Sequence, residues 1–117
     1  MAFVTVIPKQ PRPAGTHRSN WVPLLPGTTR VSLRALMNNP DIQDSTLEMS
    51  FRIDGSNDGG VTSYQLQGNT WHGGFPNRDG SFSPPEASVQ TTPMPTSIGA
   101  QVTLPRSLNI GLEVEVV

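Results

Sequence analysis

LEMSFRID at residues 47–54, followed by GSNDGG at residues 55–60, is the stretch that decides the fold of this chain. Apolar and polar residues alternate through its first part without a break, which is the period of a half-buried β-strand and not of a helix. The glycine-rich part supplies several residues that tolerate positive φ, so it predicts a tight turn. The alternation resumes at residues 64–67, and we therefore predict a β-hairpin. The face expected in the core holds Leu47, Met49, Phe51 and Ile53.

The composition indicates one small β-rich domain. The chain has 117 residues with 11 glycines and 12 prolines, a content that opposes a helical fold because proline breaks helices and glycine weakens them. It has no cysteine, which excludes disulfides, thiolate metal sites and a cysteine nucleophile. It shows neither an apolar N-terminal leader nor an apolar run of bilayer length. We therefore expect a soluble protein that is not exported by a cleaved signal.

Alternating patterns recur on both sides of the predicted hairpin. Strands are expected at residues 30–37, 98–104 and 108–116, with turns at 38–41 and 105–107. Together with the hairpin they make five strands with clean inside–outside alternation. The predicted fold is all-β, an antiparallel β-sandwich of the jelly-roll or immunoglobulin-like type. Two glutamates on the outer face of the last strand, Glu113 and Glu115, would discourage edge-to-edge aggregation.

The remaining segments lack this pattern, and they set the expected domain organisation. Residues 1–29 are interpreted as an N-terminal arm and connection, and residues 30–117 as the sandwich domain. Residues 68–97 are expected to form a long irregular loop, in which residues 88–92 could supply a short strand. Prolines 8, 11 and 13 favour an extended, polyproline-like path for the arm. The arm must lie on its own domain, on a neighbouring subunit or in solvent.

Charge is distributed unevenly along the chain, although its net value is only −1. The first forty residues contain five cations and no acid, whereas all nine acids follow them. This asymmetry predicts that the arm docks on an acidic partner through Lys9, Arg12 and Arg18, and that the sandwich folds without residues 1–18. Two alternatives stay open: the arm is a solvated tail, or residues 3–7 form a strand of the sheet.

The titratable residues do not form a catalytic or metal-binding pattern. The carboxylate pairs Asp41/Asp44 and Asp54/Asp58 lie in predicted turns, where aspartate is favoured for bonding its own backbone. The two histidines, His17 and His72, are far apart in sequence. We therefore expect no enzyme activity, no catalytic residue, no metal and no cofactor.

A cluster of polar and aromatic residues stands at 71–79. An exposed tryptophan beside polar groups is what a sugar-binding or partner-binding loop would use. The alternative is that the aromatic residues cap one open end of the sandwich. The candidate binding residues are Trp71, His72, Phe75 and Arg78.

The sequence SNDGGVT at residues 56–62 resembles an Asp-box, the Ser-x-Asp-x-Gly-x-Thr hairpin turn of sialidases and many β-rich proteins. Ser63 stands where an aromatic residue usually follows the threonine. In proteins that have it, the motif is mainly a folding turn in which the aspartate bonds loop amides. The resemblance implies a stable hairpin and no catalytic role.

The whole chain resembles the small β-sandwich structural proteins of tailed bacteriophage virions, such as capsid decoration (cement) proteins. The likeness rests on the alternating strands, the Asp-Gly-Gly hairpin at 56–62, the proline-rich arm at 8–13, and the lack of cysteine and catalytic groups. No motif of the family transfers a site residue by residue.

The resemblance implies a non-enzymatic virion protein, made in the host cytoplasm, that binds a capsid lattice as an oligomer. Its partners would be the major capsid protein or another virion protein, and neither nucleic acid nor a membrane. A carbohydrate- or receptor-binding module of a tail fibre, with a glycan as ligand, is the alternative. A small hydrolytic or lyase jelly-roll is the least favoured reading, because its histidines and carboxylates would be expected on strands.

Overall fold

The chain folds into two antiparallel β-sheets that pack as a sandwich, which confirms the predicted all-β class. A computed structural model describes residues 3–39, 48–72, 78–82, 88–91 and 93–117. Those residues contain no helix, and therefore none long and apolar enough to cross a membrane. The strands are β1 (Val4–Arg12), β2 (Gly15–Arg18), β3 (Val22–Pro23), β4 (Val31–Asn39), β5 (Glu48–Ser56), β6 (Tyr64–His72), β7 (Arg78–Phe82), β8 (Ser88–Val89), β9 (Ser97–Leu104) and β10 (Leu108–Val116).

The strand order is that of a jelly roll. Sheet A runs β1-β10-β4-β7, with β8 also paired to β4, and sheet B runs β2-β9-β5-β6, with β3 also paired to β9. If β2 and β3 count as one interrupted strand, and β7 and β8 as another, the antiparallel pairs are nested. The first strand pairs with the last, the second with the second-to-last, and so on inward to the β5–β6 hairpin. Such nesting is the double-sheet jelly roll, one of the two sandwich types expected.

The core lies between the two sheets and is built from the alternating faces that the sequence predicted. In β5 the residues Met49, Phe51 and Ile53 are buried, and Phe51 lies opposite Val102 of β9. Leu47 falls outside the described residues. The opposing sheet buries Val31, Leu33 and Ala35 of β4 together with Leu108, Ile110, Leu112 and Val114 of β10.

The N-terminal segment is part of the sandwich and not an arm extending from it. Residues of β1 from Val4 to Arg12 pair with β10, and Ile7 is 2% exposed opposite Leu112. The strands β2 and β3 likewise pair with β9. Prolines 8 and 11 are tolerated because β1 is an edge strand, where missing amide donors face away from the sheet. The sequence alternative that placed residues 3–7 in the sheet therefore describes this segment better than an extended arm.

The segment expected to be a long irregular loop, residues 68–97, contains regular structure as well. β6 continues through residue 72, and both β7 and β8 pair with β4. Short strands of this kind have too few residues to show a convincing alternation, and β7 contains a glycine at position 80 that breaks the apolar pattern.

The register of β5 is tested by neighbouring residues on its two faces. Phe51→Ala should lower the free energy of unfolding by about 3–5 kcal/mol, because it truncates a buried aromatic side chain. Arg52→Ala removes a partly exposed side chain paired with Asp54 and should cost at most about 1 kcal/mol. Urea unfolding of both variants measures the difference. Equal losses would contradict the assigned faces.

The role of β1 is tested in the same way. Ile7→Ala should cost about 2–5 kcal/mol, as expected for a buried aliphatic side chain, whereas exposed Lys9→Ala should stay within about 0.5 kcal/mol. Thermal and urea unfolding provide the measurement. An Ile7→Ala variant as stable as the unsubstituted chain would restore the view that the N-terminal segment is a dispensable tail.

Candidate functional site

A polar groove runs across the outer face of sheet B, where side chains from three paired strands point away from the core. The register sets Arg52 of β5 between Gln101 of β9 and Gly68 of β6, and sets Ser50 between Thr103 and Thr70. We call this surface the sheet B groove. It contains a hollow of about 290 Å³ lined by Ser50, Arg52, Gln65, Thr70, Gln101 and Thr103.

A second hollow, of about 140 Å³, extends the groove toward the β5–β6 turn. Gln101 lines both hollows, so they adjoin at this residue. The other side chains around the second hollow include Arg18, Ser19, Trp21, Asp54 and Ser63. The groove therefore joins a polar floor to one aromatic wall.

The floor of the groove is flat at its β6 edge because residue 68 has no side chain. The amide nitrogen of Gln65 lies 2.3 Å from the position that a Cβ would occupy on Gly68, so the glutamine side chain lies across the bare backbone. A larger residue at position 68 would displace this amide from the groove. The shape of the first hollow thus depends on the glycine.

The charges in the groove are mostly paired. Arg52 Nε donates a hydrogen bond to Asp54 Oδ1 at 2.5 Å, within an ion pair that is partly exposed. Arg18 is exposed, and no residue in the described ranges forms an ion pair with it. The Oε1 atom of Gln101 is buried and has no hydrogen-bond partner within the described part of the chain. Within the described residues, the groove therefore offers one unpaired cation, Arg18.

Trp21 forms the wall of the second hollow and joins three chain segments. Three consecutive carbons of its benzene ring lie 3.5–3.6 Å from the Cβ position of Gly99, so the ring lies face-on over β9. Its Nε1 atom lies only 2.1 Å from the Cβ position of Gly60, whose φ is +98°. Both the backbone conformation and the contact exclude a side chain at position 60. The indole is thereby fixed against the β5–β6 turn.

The β5–β6 turn has the hydrogen bonds expected from its likeness to an Asp-box. Asp58 Oδ1 accepts from the amide of Thr62 at 2.9 Å, and Asp58 Oδ2 accepts from the Thr62 hydroxyl at 2.6 Å. The buried Ser56 hydroxyl lies 2.7 Å from Asp58 Oδ1 and accepts from the amide of Gly60 at 2.9 Å. Asn57 Oδ1 accepts from the amide of Thr96, which ties the turn to the segment before β9.

These bonds account for the acidity of Asp58. Hydrogen bonds from the Thr62 hydroxyl and amide, followed by the contact with Ser56, lower the pKa of the Asp58 carboxyl to about 2. Each bond stabilises the carboxylate over the neutral acid. The shift therefore has a structural cause within the turn, and it does not mark a proton-transferring group.

The turn should make stability depend on pH in a defined window. Because the folded pKa of Asp58 is depressed to about 2, its contribution is present above the ordinary pKa of 3.8 and is lost as the pH falls through about 2. Asp58→Asn should lower the melting temperature at pH 6, and the gap from the unsubstituted chain should narrow toward pH 2. A gap that stays constant from pH 6 to pH 2 would contradict this linkage.

The outer face of sheet A is also polar, but both glutamates of β10 there pair with arginines. Arg34 Nε donates to Glu113 Oε1 at 2.6 Å, and the same guanidinium lies 3.9 Å above the ring of Phe3. Arg30 and Glu115 form a longer ion pair of 3.9 Å. These contacts connect β1, β4 and β10 across the face. Glu113 and Glu115 therefore pair with arginines on this face, in addition to the effect on aggregation that was predicted for them.

The three cations predicted to bind a partner do not form one surface. Lys9 and Arg12 lie on β1 in sheet A, whereas Arg18 ends β2 in sheet B. Arg12 donates to the carbonyl oxygens of Ile110 and Pro8, so its guanidinium holds the edge strand in place. Lys9 is exposed. Of the three, only Arg18 lines the sheet B groove, and a partner-binding role for the set stays a prediction.

The predicted binding loop is only partly described. Trp71 and His72 end β6 in sheet B, and Arg78 begins β7 in sheet A. Phe75 lies outside the described residues, as do Asp41 and Asp44. His17 is engaged locally, since its Nε2 lies 2.8 Å from the carbonyl oxygen of Pro13. A ligand-binding role for this loop stays a prediction.

No grouping of three or more histidines and carboxylates suited to a metal ion occurs within the described ranges.

Sequence reasoning missed the sheet B groove because its residues come from strands distant in the chain. Gln101 and Thr103 appear in the sequence only as the polar partners of an alternating strand. Trp21 appears only as part of an apolar connection. Their meeting follows from the register of β9 against β5 and from the position of the β2–β3 connection.

One end of the sandwich exposes apolar side chains. Leu25 in the β3–β4 loop is 80% exposed, and Val61 in the β5–β6 turn is 85% exposed. Hydrogen bonds from Leu24 N to Thr96 O and from Thr96 N to Asn57 Oδ1 bring these loops to the same end. We call this surface the apolar end. A hollow of about 360 Å³ there is lined by Leu24, Leu25, Pro26, Pro93, Met94 and Pro95.

Comparisons with known proteins include a partial likeness in fold to a viral chain. No protein-family model matches the chain, and no curated protein is significantly similar to it. A chain in a structure of infectious bursal disease virus, Gx strain, superposes with a TM-score of 0.45 and 14% identity. The superposition covers 98% of this chain and 31% of that one, so the present chain spans about a third of its length. This likeness carries no functional argument.

Proposed function

We propose that the chain is a non-enzymatic structural subunit of a virion, acting as a decoration protein that binds a capsid lattice as an oligomer. The observation that supports this most directly is the apolar end. The likeness of the sequence to phage decoration proteins, in its alternating strands and its Asp-Gly-Gly hairpin, points the same way. The partner would be the major capsid protein or another virion protein.

The apolar end has the properties of a protein contact surface. Its exposed side chains, Leu25 and Val61, stand on two loops that are each tied to Thr96, through the backbone of Leu24 and through the side chain of Asn57. Apolar groups that stand out on a rigid frame favour association, because burying them releases water and little chain entropy is lost. Exposed Leu25 borders a hollow lined by prolines 26, 93 and 95, and an apolar surface of this kind commonly marks an interaction site in a soluble protein.

The described acidic groups support a structural role over a catalytic one. General acid–base chemistry needs two titratable groups held together in a cleft. Here Asp58 bonds its own turn, Asp54 pairs with Arg52, and Glu113 pairs with Arg34. Each of these carboxylates therefore has a local partner within the fold.

The proposal is tested by substitutions at the apolar end. Leu25→Ser and Val61→Ser remove exposed groups, so the melting temperature should not change. Binding to assembled capsids of the virus that encodes the chain, and self-association, should weaken at least tenfold, equivalent to about 1.4 kcal/mol. Co-sedimentation and sedimentation equilibrium measure the two effects.

Arg106→Ser is the matched control, because Arg106 is exposed in the β9–β10 turn at the other end of the sandwich. It should leave capsid binding and self-association unchanged. If the full chain neither binds capsids nor self-associates, or if Leu25→Ser and Val61→Ser bind as tightly as Arg106→Ser, the proposed function is wrong.

A further inference from the structure

We propose that the sheet B groove is a carbohydrate-binding site whose ligand is a short oligosaccharide. Gln65, Gln101 and the Arg52–Asp54 pair would form the hydrogen-bonding floor, and Trp21 the apolar wall. This site is distinct from the apolar end and from the loop at residues 71–79. The inference does not depend on the proposed virion role.

The chemistry of the floor matches that of sugar hydroxyl groups, each of which donates and accepts hydrogen bonds. Ser50, Thr70 and Thr103 present hydroxyls that can do both. The side-chain amides of Gln65 and Gln101 lie on β6 and β9, the two strands that flank β5, and add further hydrogen-bonding groups. A run of mixed, largely neutral groups suits a polyhydroxylated ligand better than an apolar one.

Gln101 is the central residue of the site. It lines both hollows, lies opposite Arg52 in the sheet, and has an amide oxygen without a hydrogen-bond partner in the described structure. That oxygen has no solvent-exposed surface, so the group that Gln101 would offer to a ligand hydroxyl is its amide nitrogen.

Trp21 supplies the apolar surface that a sugar ring also needs, since pyranose rings have C–H faces as well as hydroxyls. The indole is half-buried and fixed by Gly60 and Gly99, so little side-chain freedom is lost when a ligand contacts it. The backbone of the floor is also fixed, because its side chains project from paired strands. Rigid aromatic and polar groups of this kind are typical of ligand sites.

The charge of the groove argues against nucleic acid as the ligand. Recognition of a phosphate backbone uses several cations together. Here Arg52 is paired with Asp54, and the carboxylate of Asp54 lines the same hollow as Arg18. One unpaired guanidinium is enough for a single carboxylate on a sugar, so both neutral and acidic oligosaccharides fit the site.

The inference is tested with the full chain on a printed array of neutral and acidic glycans. The chain is then titrated with maltotriose, cellotriose, chitotriose and 3′-sialyllactose and followed by nitrogen-15 NMR. Sugar concentrations up to ~10 mM detect dissociation constants of ~1 mM. Bound probes should shift the amide signals of residues 50–54, 65–70 and 99–103. Signals of residues 32–36 and 109–115 on sheet A should not move. If sialyllactose is the only sugar that binds, we infer that its carboxylate pairs with Arg18.

Variants on the two faces complete the test. Gln101→Leu keeps the size of the side chain and should weaken glycan binding at least tenfold, whereas Ser32→Ala on sheet A should leave it unchanged. If Gln101→Leu does not fold, Thr70→Ala at an exposed position takes its place, and it should weaken glycan binding severalfold. Binding to no array member and no titrated sugar, shifts confined to other regions, or unchanged affinity in Gln101→Leu or its replacement would overturn the inference. None of these outcomes bears on capsid binding through the apolar end.

Discussion

The pairing of β5 with β9 is the constraint on which the rest of the structure depends. Because Phe51 faces Val102 and Ile53 faces Ala100, the apolar sets of both strands point into one core. The same register places Arg52 beside Gln101 on the opposite face. A slip of one residue would exchange the two faces of a strand. Burial of the core therefore also fixes which side chains form the floor of the sheet B groove, and no further interaction is needed to place them.

The β5–β6 turn adds a second constraint that acts across segments. Asp58 closes the turn through Thr62, while Gly60 makes room for the indole of Trp21. Trp21 in turn rests on β9, so the turn, the β2–β3 connection and the central strands are held together. A motif that resembles a folding turn thus also shapes the wall of a hollow. Its acidic residue contributes through hydrogen bonding and not through proton transfer.

Alternation was sufficient to predict the strands that bury one face, namely β4, β5, β9 and β10, because each has enough residues to show the period. It was insufficient for β1, where prolines at positions 8 and 11 indicated an extended arm. An edge strand needs amide donors on one side only, so the prolines did not prevent pairing. The groove was also beyond sequence reasoning, since Gln65, Arg52 and Gln101 meet only once strand order and register are known.

The jelly roll separates the two surfaces by construction. Loops following β3, β5 and β8 gather at one end of the sandwich, and the groove lies on the flank of sheet B. The turn at residues 57–62 touches both, since Val61 is exposed at the apolar end and Gly60 packs on Trp21. A partner that covered the apolar end would therefore contact the turn that fixes the groove wall. Since Asp58 and Asn57 hold this turn through their hydrogen bonds, the apolar end and the groove wall depend on the same local contacts.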